Sequence, residues 1–173
     1  IGPVFRADPS FTLRHATEFV SIDMDMCCID FHADVMNFQE LLTVKAIQAV
    51  KDEHGAQIEA LYGFEVKVPS IPFPRIPLAE AHSILEGRGY KVPRQDGDLD
   101  PEGERQISAH VEETHDHEFV FLTDYPKNIR PCYHMRHADN PDLTKSYDLI
   151  WKGTEITTGA QREHRVEVLT EQI

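Results

Sequence analysis

The stretch EFVSIDMDMCC, residues 18–28, constrains the fold most, because two kinds of side chain alternate along it. Successive side chains of a β-strand point to opposite faces. One face of such a strand would carry Val20, Ile22, Met24, Met26 and Cys28. The other would carry Phe19, Ser21, Asp23, Asp25 and Cys27. We therefore predict a strand over 18–29, with its apolar face in a core and its carboxylate face on the floor of a polar binding site.

Composition fits a globular domain and argues against several classes of function. The chain has 173 residues, 40% of them hydrophobic and 27% charged, which is enough for one domain with a real core. The net charge of -13 argues against strong binding of a nucleic-acid backbone by this segment alone, although single arginines at a phosphate site remain compatible with it. No apolar run reaches the length of a membrane span, so we expect no membrane association.

The cysteines and the chain ends predict a cytoplasmic protein and an incomplete domain. Three cysteines, two of them adjacent, cannot build a disulfide framework, which favours a reducing compartment. The chain starts at Ile1 and enters a strand-like run at once, and its last residues lie within a helical pattern. We therefore expect a segment of a larger domain.

Local signals predict an α+β fold. The first helix is expected over 35–54, with Asp34 as its cap and Gly55 as its stop. Further helices are expected over 77–86, ended by Gly87, and from Pro101 onward, with Asp100 as the cap. A last helix is expected over 163–172. Strands are expected at 2–7, 18–29 and 118–123, and in two runs that meet at Gly153. The proline-rich segment 65–77 cannot be a central strand throughout. The order of elements favours a mainly antiparallel β-sheet flanked by helices.

A first group of candidate site residues lies in VFRADPSFTLRHATEF, residues 4–19. Arg6 leaves one strand, Arg14 and His15 lie in the following loop, and Phe19 returns on the polar face of the next strand. Guanidinium groups bind phosphate oxygens in pairs, and an aromatic ring can stack on a base. The pattern suits a nucleoside polyphosphate, but a hairpin with surface arginines and a core Phe would give the same sequence.

A second group lies in GTEITTGAQREHR, residues 153–165. Glu155 and Thr158 offer the oxygen ligands that Mg²⁺ takes when it also holds substrate phosphates. On a regular strand they would face opposite ways, so a bulge, or a bend near Gly159, must bring them together if they act as a pair. Arg162 follows where the chain turns toward a helix. An exposed edge strand with an ordinary helix start is the alternative.

Three separate blocks of sequence resemble one enzyme family. FRADPSFTLRHATEFVSIDMDM resembles motif 2 of class II aminoacyl-tRNA synthetases in the aspartyl and asparaginyl group. FVFLTDYPKNIRPCYHM and SYDLIWKGTEITTGAQREHR resemble the downstream blocks of the aspartyl enzymes of archaeal and eukaryotic type. The resemblance is weakest over 53–116. It implies that residues 1–173 are a partial catalytic domain, from motif 2 to before motif 3, with motif 1, motif 3 and the anticodon-binding domain outside the segment.

The resemblance implies a role in ATP binding for the first group of residues. Arg6 would contact the α-phosphate and act in catalysis, and Arg14 would reach toward the γ-phosphate. His15 would lie beside them at the ATP site. Phe19 would stack on adenine.

The resemblance implies a role in metal and amino-acid binding for the second group. Glu155 and Thr158 would hold Mg²⁺ with ATP, and Thr158 would also lie at the substrate. Arg162 would bind the side-chain end of the amino acid and count as catalytic. Asp23 would lie near the substrate ammonium group.

Three positions depart from the family pattern, and four residues in the matched blocks have no role that follows from one sequence. Asp8 and Asp25 stand where Glu is usual, and Cys132 stands where Phe is usual. The residues without a derived role are Asp124, Arg130, Asp148 and His164.

The implied parent activity is ATP-dependent activation of aspartate and its transfer to tRNA, for Asp and possibly for Asn. The parent would be a cytoplasmic homodimer. An asparaginyl-tRNA synthetase, or a paralogue of the same fold that makes asparagine with ammonia, could share these blocks. A non-catalytic remnant or incomplete domain is the third alternative.

Overall fold

The computed structural model describes residues 1–7, 16–93 and 97–173 as six strands, four helices and one 3₁₀ turn. The strands are β1 (Gly2–Phe5), β2 (Glu18–Ser21), β3 (Arg75–Pro77), β4 (Phe119–Thr123), β5 (Ser146–Trp151) and β6 (Thr154–Ala160). The helices are α1 (His32–Tyr62), α2 (Leu78–Gly87), α3 (Pro101–His115) and α4 (Val166–Gln172), with the 3₁₀ turn at Lys127–Ile129. None of the helices in this part of the chain combines the length and the apolar character needed to cross a lipid bilayer.

The strands form two sheets. Strands β1 and β2 pair as an antiparallel hairpin, and the other four form a sheet in the order β3-β4-β5-β6. Strand β3 runs parallel to β4, whereas the β4–β5 and β5–β6 pairs are antiparallel. The predicted α+β fold with a mainly antiparallel sheet is confirmed. The proline-rich segment supplies only the short edge strand β3, where a missing N–H donor is tolerated.

The four-stranded sheet is covered on both faces, and β4 shows how the sequence arranges this. Phe119 and Phe121 of β4 pack with Met36 of α1, while Val120 and Leu122 pack among buried residues of α2 and α3. Both sets are buried, so the strand reads as a continuous apolar run. Each large side chain buried in this way contributes about 1.5–3 kcal/mol to folding.

Helix α1 is longer than the sequence predicts at both ends. It runs through Gly55 to Gly63, whose backbone has a φ of 74° and whose N–H donates to the Glu59 carbonyl at 2.9 Å. One glycine inside a helix costs only about 1 kcal/mol, which is too little to stop a helix of this length. Asp34 is not the cap residue but lies one turn in, where its carboxylate accepts from the N–H of Phe31 at 3.1 Å.

The prediction of a long strand over 18–29 is wrong beyond Ser21. Gly2, the first residue of β1, pairs with Ser21, and none of the described residues pairs as a strand with residues 22–29. The predicted apolar face is not buried among the described residues either: Val20 is 71% exposed and Ile22 63% exposed. At Cys28 the backbone has a φ of 60°, which is incompatible with an extended strand.

The predictions for α2 and α3 are confirmed. Helix α2 follows Pro77 and ends at Gly87. Asp100 caps α3, since its Oδ1 accepts from the Gly103 N–H at 2.8 Å and from the Tyr90 hydroxyl at 2.7 Å. Helix α4 begins at Val166, three residues later than predicted.

Strands β5 and β6 meet at Gly153 as predicted, through a two-residue turn. Lys152 and Gly153 have φ values of 49° and 77°, as a turn compatible with the right-handed twist of a hairpin requires. The Gly153 N–H donates to the Ser108 hydroxyl at 2.8 Å, which ties the turn to α3.

We expect Gly159→Ala to destabilise the protein. A Cβ at Gly159 would overlap the ring of Tyr147, its partner in β5, at 2.8 Å from Cε1 and closer to Cζ. Overpacking of this kind costs about 1–3 kcal/mol, and urea unfolding followed by circular dichroism should show a lower midpoint. Gly87→Ala is the matched control because its Cβ would enter open space. Equal midpoints for Gly159→Ala and Gly87→Ala would contradict the prediction.

We expect His32 to make the fold sensitive to mild acid. This side chain is 4% exposed at the start of α1, and burial lowers its pKa from 6.5 to about 4. The unfolded chain therefore binds a proton more readily than the folded chain, so stability is lost as pH falls from about 6.5 to about 4. At pH 5 the cost is at most about 2 kcal/mol relative to pH 7.

The test compares unfolding free energies at pH 7 and pH 5 for the parent, His32→Asn and His54→Asn. His32→Asn should lose less stability between the two pH values than the parent does. His54 has an exposed side chain on the same helix, so its variant should behave as the parent does. An unchanged pH dependence in His32→Asn would refute the assignment.

Candidate functional site

A one-residue bulge in β6 brings the predicted metal pair onto one face of the sheet. Asp148 pairs with Thr158 and Ile150 pairs with Glu155, while Ile156 is the extra residue in the register. Positions 148 and 150 share a face because side chains alternate along a strand. Glu155 and Thr158 therefore share that face too. The bulge is one of the two features that we expected to bring them together.

A buried ion pair lies directly beside Thr158. Arg130 donates through Nη2 to Oδ2 of Asp148, and their side chains are 10% and 3% exposed. The other terminal nitrogen of Arg130 lies 3.4 Å from the Thr158 hydroxyl. The guanidinium carbon lies 3.6 Å from the centre of the Tyr125 ring. Four groups from three chain segments thus meet on the face that carries Glu155.

This ion pair is the part of the site that sequence reasoning missed. Asp148 is a single carboxylate within the otherwise buried run of β5, and such a residue needs a partner, but the sequence does not say which. The answer is Arg130, 18 positions earlier. Asp124 lies elsewhere and pairs with His137 at 2.9 Å, and His164 is exposed.

The electrostatics of this face favour a cation. Desolvation and the neighbouring carboxylates of Asp148 and Asp98 raise the pKa of Glu155 to about 7, although the residue as a whole remains exposed. Burial and Asp148 also raise the pKa of Asp98, from the loop before α3. Burial opposes the charge of Arg130, but the Asp148 carboxylate raises its pKa above the ordinary value. One guanidinium therefore faces three carboxylates.

The donor set fits a magnesium ion that arrives with a polyphosphate. Glu155 and Thr158 supply hard oxygens, and Oδ1 of the buried Asp148 has no hydrogen-bond partner among the described residues. Within the described ranges, no group of three or more His, Cys, Asp or Glu is placed to hold a metal by itself. Mg²⁺ commonly binds through one or two carboxylates together with phosphates and water.

The β1–β2 hairpin carries the described members of the predicted nucleotide group. The guanidinium of Arg6 lies 5.3 Å from the centre of the Phe19 ring, and Phe19 is half-buried opposite Val4. The two side chains thus form an aromatic surface with a positive charge beside it. Arg14 and His15, the other two members, lie outside the described residues.

Arg162 lies between the end of β6 and the segment after β2. Its Nη2 is 3.6 Å from Oδ1 of Asp25, and its guanidinium carbon is 5.7 Å from the centre of the Tyr133 ring. Arg162 and Asp25 have side chains that are 68% and 83% exposed, and Asp23 is exposed as well. The described residues do not enclose Arg162 in a water-poor pocket.

Comparison with sequences of known proteins gives matches over the full chain. An aspartate–tRNA(Asp/Asn) ligase of Aeropyrum pernix is 44% identical over 174 residues, which cover 100% of this chain and 39% of the relative. An aspartate–tRNA(Asp) ligase of Thermococcus kodakarensis is 38% identical, again over 100% of this chain and 39% of the relative. The chain thus spans about two fifths of the length of the curated relatives it matches.

Solved structures agree with the sequence matches. The aspartyl-tRNA synthetase of Entamoeba histolytica superimposes with a TM-score of 0.89 at 31% identity, over 99% of this chain and 36% of that one. An asparaginyl-tRNA synthetase of Pyrococcus horikoshii, complexed with asparaginyl-adenylate, gives a TM-score of 0.81 at 27% identity, over 99% and 39%.

The family assignment follows from a family model that matches the chain over its full given length. The model for "tRNA synthetases class II (D, K and N)" matches residues 1–173. The fold agrees with it, since the α+β architecture and the mainly antiparallel sheet are those of the superimposed synthetase. The chain therefore belongs to the class II tRNA synthetases of the D, K and N group.

Proposed function

We propose that the chain is part of the catalytic domain of an aspartate–tRNA ligase, which activates aspartate with ATP and then transfers it to tRNA. The observation that carries this proposal is the 44% identity, over the whole chain, to a ligase named for tRNA(Asp/Asn). The chain spans 39% of that relative, so the activity belongs to the intact protein that contains these residues.

Activation needs charge stabilisation and positioning, and no protein nucleophile. An oxygen of the substrate α-carboxylate attacks the α-phosphorus of ATP, and the bond from that phosphorus to the bridging oxygen breaks to release pyrophosphate. Arg6 would neutralise charge on the α-phosphate, and Phe19 would hold adenine by stacking. Arg14 and His15 would bind the remaining phosphates. In the second step a ribose hydroxyl of tRNA attacks the carbonyl carbon of the aspartyl-adenylate, which forms the ester and breaks the bond to the phosphate, so that AMP leaves.

Glu155 and Thr158 would hold Mg²⁺ together with ATP. Support comes from their common face, from the excess of carboxylates around them, and from the raised pKa of Glu155, since a cation there would replace a proton. When bound, Mg²⁺ would neutralise charge on the polyphosphate. Thr158 would also contact the amino acid.

Arg162 would bind the side-chain carboxylate of aspartate, and Asp23 would lie near its ammonium group. The 3.6 Å separation between Arg162 and Asp25 is too long for a hydrogen bond, so the guanidinium has donors to offer to another carboxylate. A planar guanidinium binds a carboxylate through two parallel hydrogen bonds. The remaining partners that we propose are tRNA for Asp and possibly Asn and a second copy of the intact protein, in the cytoplasm.

Amino-acid-dependent exchange of pyrophosphate into ATP tests the activity in the intact protein. We expect exchange with aspartate and little with asparagine. Charging of purified tRNA(Asp) and tRNA(Asn) then shows which tRNA is used. Exchange with asparagine alone would make the protein an asparaginyl enzyme, and no exchange with either amino acid would refute an activating function.

We expect Phe19→Ala in the intact protein to weaken ATP binding more than aspartate binding. Loss of a stacked base costs about 1–3 kcal/mol, which corresponds to about a ten- to hundred-fold loss of affinity for ATP. Michaelis constants for both substrates in pyrophosphate exchange measure the effect. Phe64→Ala is the control because Phe64 is an exposed aromatic residue that lies beyond the end of α1. Equal losses for both substrates would show that Phe19 has a packing role instead.

We expect Arg162→Lys in the intact protein to impair aspartate activation while ATP binding changes little. Lysine keeps the charge but cannot make the bidentate contact with the substrate carboxylate. A hydrogen bond to a charged group is worth about 1.5–3 kcal/mol. The value of kcat/KM for aspartate should therefore fall by at least about ten-fold.

Arg88→Lys is the matched control for Arg162→Lys. Arg88 makes a two-pronged contact with Glu113, at 2.7 and 3.0 Å, but it links α2 to α3 and lies outside the proposed site. Its variant should keep the parental kinetics. If Arg162→Lys lowers ATP affinity as much as aspartate affinity, Arg162 belongs to the phosphate site.

A further inference from the structure

Arg130 is held in one position by its chain neighbours and by an aromatic ring. Pro131 follows it, which favours an extended backbone at the preceding residue, and Arg130 has a φ of -119° and a ψ of 152°. Its guanidinium lies 3.6 Å from the centre of the Tyr125 ring. The carbonyl of Tyr125 in turn accepts hydrogen bonds from the N–H and the hydroxyl of Thr144, each at 2.9 Å.

The contacts of Arg130 reach the site but leave hydrogen-bonding capacity unused. Its two terminal nitrogens approach Asp148 and Thr158, which face each other across β5 and β6. Within the part of the chain that the structure describes, its Nε and the Oδ1 of Asp148 make no hydrogen bond of normal geometry, although both side chains are at least nine-tenths buried. Unpaired polar atoms in such a place are costly, so a pair kept only for stability would be expected to satisfy them.

The contact with Arg130 also restricts the hydroxyl of Thr158. A guanidinium can only donate, so the Thr158 oxygen accepts from Arg130 and its own proton must point to another acceptor. One lone pair stays available for a cation. The hydroxyl can therefore donate to a carboxylate or phosphate and still offer a lone pair to a metal, which are the two roles proposed for Thr158.

We propose that Arg130 is a positioning residue for amino-acid activation, which orients the Thr158 hydroxyl and holds the Asp148 carboxylate beside the Glu155–Thr158 pair. This inference rests on the proposed function. Arg130 acts through Thr158 and Asp148. Its removal therefore changes how the amino acid and the metal are bound, in addition to any change in stability.

A double-mutant cycle between Arg130 and Thr158 tests the proposal in the intact protein. The variants are Arg130→Met, Thr158→Val and the double variant, and the readouts are kcat, KM for the amino acid and the Mg²⁺ concentration for half-maximal exchange. We expect Arg130→Met to lower kcat/KM for the amino acid by at least ten-fold and to raise the Mg²⁺ requirement. The value of kcat/KM for the double variant should be no lower than that of the less active single variant, because both substitutions remove the same function.

Two further variants separate positioning from packing. Arg130→Lys keeps a charge for Asp148 but cannot reach both partners, so it should lose less thermal stability than Arg130→Met and still show the kinetic defect. Lys127→Met is the control from the same loop, where Lys127 pairs with Asp142 at the surface, at 2.6 Å. It should leave the kinetic constants and the Mg²⁺ requirement unchanged.

The outcomes distinguish this proposal from the proposed function. The cycle is run with whichever amino acid the parent activates, so a change of substrate does not affect it. If the double variant lost activity by the product of the two single losses, the role of Arg130 would be refuted while the proposed function stood. A lowered melting temperature with unchanged kinetics in Arg130→Met would lead to the same conclusion. An intact parent that activates no amino acid would overturn the proposed function, and this inference with it.

Discussion

The pairing of β5 with β6, offset by one residue at Ile156, is the constraint on which the site depends. Without the offset, Glu155 and Thr158 would point to opposite faces, and only one of them could lie beside Asp148. The offset is held from both ends. The turn at Gly153 is tied to α3, and Gly159 leaves room for the ring of Tyr147. The bulge thus adapts a strand of the core sheet to present oxygen ligands on one side.

The same face must serve as core and as polar site. Ile150 is buried under α2 and α3, and two positions earlier Asp148 is buried as well. A lone carboxylate there would be unstable, and Arg130 stabilises its charge. The resulting cluster still carries more carboxylates than guanidinium groups, and burial, together with the charge of Asp148, raises the pKa values of Glu155 and Asp98. This excess of carboxylates supports the proposal of a cation site there.

Features set by neighbours in the chain could be predicted from the sequence, and features set by distant contacts could not. The cap at Asp100, the end of α2 at Gly87 and the turn at Gly153 each depend on a few adjacent residues, and all three are confirmed. The need for a bulge also followed from strand geometry. In contrast, the strand predicted over 18–29 depends on partners, and its ladder ends with β1. The pairing of Arg130 with Asp148 brings together two segments that no local pattern connects.

The loose contact between Arg162 and Asp25 has a consequence for any acidic ligand. A carboxylate that approached this guanidinium would find hydrogen-bond donors that Asp25 does not occupy, because 3.6 Å is too long for a hydrogen bond. The negative charge of Asp25 nearby would still offset part of the attraction that the ligand gains from Arg162.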